Sequence, residues 1–173
     1  LINGLKASTA TWKVVANDLP LSIVVPDKAT DPVGGPKSME GVAQGENGRP
    51  LGREIAFSSI LSQTKNVPNI VYLTADVHYT AAISYDPGRA GFTDFAPFWE
   101  FVSGPLNAGA FPESPLDGTF GARYEFVHAP TEANVSPAEG FQHFGEVYLS
   151  EVLEPLVQRN PDRPIYPNFV VSR

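Results

Sequence analysis

The sequence predicts an α/β fold rich in loops, and three observations carry that expectation. Asn69 to Ala75 forms a nearly continuous apolar run, as expected of a central strand covered on both faces. Leu51 to Leu61 follows Pro50 and places Ile55, Ala56, Ile60 and Leu61 on one helical stripe, with Asn66 and Pro68 ending the helix. The 15 glycines and 17 prolines among 173 residues break the rest into short elements, because neither residue suits a helix interior.

The remaining elements follow from local pattern. Thr11 to Ala16 alternates and is β-rich, and Leu21 to Val25 is a second short apolar run, so both are expected to be strands. Pro26 to Gly48 is a long polar loop of the kind that is usually functional or disordered. Thr80 to Tyr85 is predicted as a return strand and Phe98 to Val102 as another, with Phe98, Trp99 and Phe101 in the core. Tyr124 to Val127 and Phe144 to Leu149 are later strands, Ser150 to Gln158 a short helix, and Asn160 to Arg173 a Pro-rich and nearly featureless end. Asp117-Gly118 reads as a turn.

Composition excludes several classes of function. Hydrophobic residues at 42% and charged ones at 18% describe a globular chain. The net charge of −7 argues against a nucleic-acid-binding patch, which needs clustered Lys and Arg. An anionic substrate would have to be met by a local positive charge such as a metal ion. The absence of cysteine rules out a disulfide framework, a zinc ribbon and a thiol nucleophile, and leaves the compartment undecided. No apolar run approaches transmembrane length. There is no Gly-x-Ser-x-Gly elbow, no phosphate-binding Gly-x-x-x-x-Gly-Lys loop and no His-Glu-x-x-His. The chain starts Leu1-Ile2-Asn3-Gly4-Leu5, without Met and within an amphipathic segment, and is read as a fragment or a processed chain.

The chemistry centres on Asp76-Val77-His78 at the carboxyl end of the apolar strand, where ligands of α/β sheets collect. Residues two apart in an extended segment project to the same side, so Asp76 and His78 can reach one metal cluster. The carboxylate suits Ca²⁺, Mg²⁺ or Mn²⁺ and the imidazole suits Fe or Zn. Two ligands hold no metal alone, and a bare Asp-x-His is more often a strand-end Asp capping a turn and a His packed beside Tyr79. Asn17 and Arg53 are weaker candidates for contacting a substrate. Asn17 follows a strand, and the Arg53 guanidinium matches phosphate geometry, though an ion pair with Glu54 explains Arg53 equally. His128 and His143 have no partner near in sequence and are taken as structural or surface.

Five segments then occur in order: Trp12 to Pro20, Pro50 to Glu54, Val71 to His78, Phe98 to Pro105 and Phe144 to Val147. This series resembles the C-terminal part of the alkaline phosphatase D (PhoD-like) family of calcineurin-like metallophosphoesterases. The resemblance spans residues 1–149, with 150–173 an unmatched C-terminal segment. Its most specific stretch is Leu73-Thr74-Ala75-Asp76-Val77-His78, similar to the family's Gly-Asp-Val-His motif with Ala75 in place of Gly.

The resemblance implies the C-terminal half of an αββα sandwich around an iron and calcium centre. Asp76 and His78 would be metal ligands, and metal-activated water would hydrolyse phosphate mono- or diesters, from a small molecule or a phospholipid. It implies a secreted or periplasmic protein. The family draws further ligands from its N-terminal half, so this piece alone is expected to be inactive. Two other readings stand beside it. One is a non-catalytic α/β binding module in which Asp76 and His78 are structural, and the other is a metal-dependent hydrolase acting on something other than phosphate esters.

Overall fold

The structure is a computed structural model that describes residues 1–26, 39–148 and the strand at 168–172. Helix α1 (Ile2–Ala7) precedes β1 (Lys13–Ala16), then come α2 (Arg53–Thr64), β2 (Ile70–Thr74), β3 (Thr80–Tyr85), β4 (Phe98–Val102), β5 (Ala122–His128), β6 (Phe144–Tyr148) and β7 (Asn168–Ser172). The first five strands form one mixed sheet in the order β1-β2-β4-β3-β5. Strands β1, β2 and β4 run parallel, while β3 runs antiparallel to both β4 and β5. The molecule is therefore α/β, with a five-stranded mixed sheet and few helices among the described residues.

The sheet order decides where the Asp76-Val77-His78 segment lies. The return strand β3 does not pair with β2, because β4 inserts between them. Thr74 pairs with Val102, and Ala81 pairs with Val102 from the other side. Residues 75–79 thus arch over the carboxyl end of β4 on their way from β2 to β3. The chain leaving β4 passes beneath that arch, with the Ser103 amide bonded to the Thr74 carbonyl at 3.2 Å.

One face of the sheet packs on α2 through an aromatic cluster. Phe57 of α2 meets Tyr72, Phe98 and Phe120 edge-on at centroid distances of 5.7, 6.2 and 5.1 Å, and Tyr85 stacks on Phe98 at 4.2 Å. Such pairs add about 0.5–1.5 kcal/mol each beyond the area they bury. Alternation along β2 and β4 sends Val71, Leu73, Trp99 and Phe101 to the opposite face, so the central strands are apolar on both sides.

Helix α2 corrects the expected stripe. It buries Glu54, Phe57, Ser58, Leu61 and Thr64, while Ile55 is 59% exposed and Ala56 is exposed too. The cause is Glu54, whose carboxylate accepts the backbone amides of Gln44 (2.9 Å) and Leu51 (3.0 Å) and so turns a charged side chain inward. The bond to Leu51 reaches back across the first turn in the manner of a capping box. Burial raises the Glu54 pKa, and the nearby Asp117 carboxylate adds to the shift.

Two other expectations change. Leu21 to Val25 is buried over its first three residues but is not a laddered strand: it keeps one bridge, Ile23 to Leu116, while the Leu21 amide bonds the Glu100 carboxylate at 3.0 Å. The featureless end is also revised, because Asn168–Ser172 pairs antiparallel with β6. Its Phe-Val-Val core is a strand signal that the surrounding prolines obscured. The helix expected over 150–158 and most of the Pro26–Gly48 loop (27–38) lie outside the described residues. No described helix is long and apolar enough to cross a membrane.

Candidate metal centre

The arch is not extended, which corrects the simple reason for pairing Asp76 with His78. Asp76 has φ +72° and His78 φ +58°, both left-handed conformations that cost L-residues energy. The Val77 amide bonds the Ala75 carbonyl at 2.9 Å, closing a γ-turn centred on Asp76 in the rare strained form. Two such residues in three positions persist because the chain around them is pinned: Ala75 N bonds Asp18 O (3.1 Å) and Phe111 N bonds His78 O (3.2 Å). Asp76 and His78 still line the same cleft.

That cleft holds about 570 Å³. Asp76, Val77 and His78 form one side, Phe111 to Ser114 the other, and Val25 and Glu40 stand at the two ends of the 26–39 loop. Asp76 is exposed and His78 half-buried. The His78 Nδ1 lies 2.7 Å from the Gly109 carbonyl oxygen. A carbonyl only accepts, so Nδ1 carries the proton, and in the neutral ring Nε2 keeps its lone pair. The Phe111 ring meets the imidazole edge-on at 5.4 Å and closes its other side.

The Gly109 segment is itself fixed. Ala110 and Val135 exchange two backbone hydrogen bonds of 2.9 Å. Tyr79 and Tyr124 share a hydroxyl–hydroxyl bond of 2.8 Å and hold Ser114, Tyr79 by accepting its amide (3.2 Å) and Tyr124 by donating to its carbonyl (2.8 Å). Burial raises the pKa of both phenols, so they stay protonated at neutral pH. Gln142 donates to Ala108 O at 3.4 Å, and His143 N bonds Pro105 O at 3.1 Å.

The donor set fits a metal ion in part. A carboxylate and an imidazole presented to one cleft suit it, and the Nδ1–carbonyl bond is the usual way a ligating His is oriented. Among the described residues no group of three or more His, Asp or Glu stands close enough to hold an ion. The fit is therefore to part of a centre.

Asn17 and Arg53 are not among the residues lining the cleft. The Asn17 amide donates to Leu19 O at 2.5 Å in the turn before Pro20. Arg53 Nη1 lies against the carbonyls of Met39, Glu40 and Gly41 (2.8, 2.5 and 2.7 Å), where it ties the loop end to α2 and leaves little for a phosphate. His128 and His143 also differ from expectation, because they are bonded to each other, Nδ1 to Nε2, at 2.8 Å.

Sequence reasoning missed Glu100. It is fully buried in β4 and accepts from Leu21 N, Thr74 Oγ1 (2.7 Å) and the Tyr85 hydroxyl. This carboxylate locks the end of β2, two residues before Asp76, to its neighbours. A charge inside Phe98-Trp99-Glu100-Phe101-Val102 was the available signal, since buried charges persist only with partners.

Comparison with curated proteins and with solved structures gives no match for this chain. The family model described as PhoD-like phosphatase matches residues 1–154. With that span covering most of its length and Asp76-Val77-His78 placed on a cleft at the sheet's carboxyl edge, the chain belongs to the PhoD-like phosphatase family.

Proposed function

We propose that this chain is the C-terminal part of a metal-dependent phosphoesterase in which Asp76 and His78 supply two of the metal ligands. The observation that carries this reading is the fixed His78 ring, with Nδ1 held on Gly109 O and the imidazole sharing a cleft with Asp76. Bound metal would polarise a phosphoryl oxygen and lower the pKa of a coordinated water. The donor types fit a mixed centre of calcium and iron. The Glu40 and Glu113 carboxylates in the same cleft add negative potential that draws cations.

This chain's own residues orient and hold. Asp76 would bind through its exposed carboxylate, and His78 through Nε2. The Tyr79–Tyr124 pair keeps the Glu113–Ser114 side of the cleft in place. The remaining ligands are placed in polypeptide beyond the described residues, within an αββα sandwich whose second layer would cover the apolar face of Leu73 and Trp99. The family relationship supports a phosphate mono- or diester substrate, a small molecule or a phospholipid, and a secreted or periplasmic location. The family match, over residues 1–154, supports a functional domain that ends in this region.

The test is hydrolysis of p-nitrophenyl phosphate and bis-p-nitrophenyl phosphate by the longest natural form of the protein. Asp76→Ala and His78→Ala are each expected to lower kcat by about 100-fold or more, as loss of a metal ligand does. Full activity in both variants would move the assignment to a binding module.

A further inference from the structure

The cleft wall opposite Asp76 has a feature that metal binding does not use. Phe111 lines the cleft, is 38% exposed and lies outside the buried core. Among the described residues its one aromatic contact is the His78 imidazole, met edge-on at 5.4 Å. Pro112, Val25 and Val77 line the same cleft. Val25 and Val77 also pack against the core, so the fold accounts for them. It does not account for an aromatic ring left open to solvent beside a candidate metal ligand.

The backbone fixes where that ring stands. The Phe111 amide bonds His78 O at 3.2 Å, and the preceding Ala110 exchanges two bonds of 2.9 Å with Val135. Ser114, at the far end of the wall, is held by Tyr79 and Tyr124. A wall pinned at both ends presents the ring with little further ordering when a ligand covers it. The Glu113 carboxylate on the same wall disfavours a second anionic group there, and Val77 and Pro112 favour an apolar one.

We propose that Phe111 is a specificity-determining residue that receives the alcohol portion of the phosphate ester, and that this portion is a neutral, flat apolar group, as in an aromatic alcohol. The inference deepens the phosphoesterase reading and rests on it, since it places the phosphate end of the substrate at Asp76 and His78.

Benzylphosphonate and 2-hydroxyethylphosphonate share a non-hydrolysable head and differ in the body. In calorimetric titration of the longest natural form of the protein, benzylphosphonate should bind about tenfold tighter, the worth of covering roughly 50–60 Å² of apolar surface. Phe111→Ala should bring the two affinities to within about twofold, and Phe111→Tyr, which keeps the ring, should preserve the preference. Because Phe111 touches His78, a changed metal loading would weaken both ligands alike, and their ratio within one variant cancels it. Equal affinities in the parent, tighter binding of the hydroxyethyl compound, or a preference unchanged in Phe111→Ala would overturn this inference. So would failure to bind either phosphonate. If p-nitrophenyl phosphate is still hydrolysed, those outcomes leave the phosphoesterase reading standing. A parent that neither hydrolyses it nor binds either phosphonate would overturn both.

Discussion

The imidazole of His78 is aimed by the backbone of Gly109, whose carbonyl oxygen lies 2.7 Å from Nδ1. Gly109 is in turn packed against Asn134: a Cβ added there would lie 2.2 Å from the Asn134 Oδ1 and 3.3 Å from its Cα. The orientation of a candidate ligand in the β2–β3 arch therefore depends on a side chain 56 residues further along the chain.

Gly109→Ala should push the Gly109 segment away and loosen the His78 ring. The expected effect is a loss of metal affinity of about 10–100-fold, the usual cost of disturbing a ligand's orienting partner. Asn134→Gly in the same chain removes the clashing side chain and should restore most of that affinity, read by metal titration. If Gly109→Ala binds metal normally, the carbonyl does not position the ring.

Asp76→Gly separates stability from function. The residue sits at φ +72°, where glycine carries no side-chain strain, so the variant should be unchanged or up to about 1 kcal/mol more stable in urea unfolding. Metal binding should fall with the lost carboxylate. A marked loss of stability would mean that Asp76 is a structural turn residue instead.

Glu100 gives a pH signature. Burial raises its carboxyl above the ordinary value of 4.5. Between that value and the raised one, the folded state keeps a proton that the unfolded state has lost, so stability falls as pH rises through the window. Glu100→Gln cannot ionise and can still serve Leu21, Thr74 and Tyr85. Its stability relative to the parent should therefore grow as pH rises from about 4.5 towards neutral, read from denaturant midpoints. A constant difference across that range would contradict the assignment.

The His128–His143 bond should appear as a coupling. In a double-mutant cycle with His128→Ala and His143→Ala, the pair should show about 0.5–1.5 kcal/mol of interaction in unfolding free energy. His143 is 2% exposed while His128 is only half-buried, so its single variant should also be the more damaging of the two. Simple additivity would mean that the two rings are independent.

What the sequence revealed follows the range of the forces involved. Strands β3 and β4 were legible to the residue, and β2 to within one residue at each end, because apolar runs bounded by turn residues are local signals. Asp76 and His78 were singled out from their place after β2, and both line one cleft. Their left-handed backbone was not, since it is imposed by bonds to Asp18 and Phe111. The inward face of α2 was misjudged because Glu54 finds its amide partners in the loop before the helix. Arg53 went the same way, its guanidinium meeting carbonyls 12 to 14 residues upstream. His128 and His143 meet only because β5 and the segment before β6 converge.

The most direct measurement is metal content, by mass spectrometry, of the longest natural form of the protein beside its Asp76→Ala and His78→Ala variants. The account predicts stoichiometric iron or calcium in the parent and its loss from both variants with the fold intact by circular dichroism. A parent without metal under oxidising, calcium-supplied conditions, or variants that retain the full complement, would contradict it.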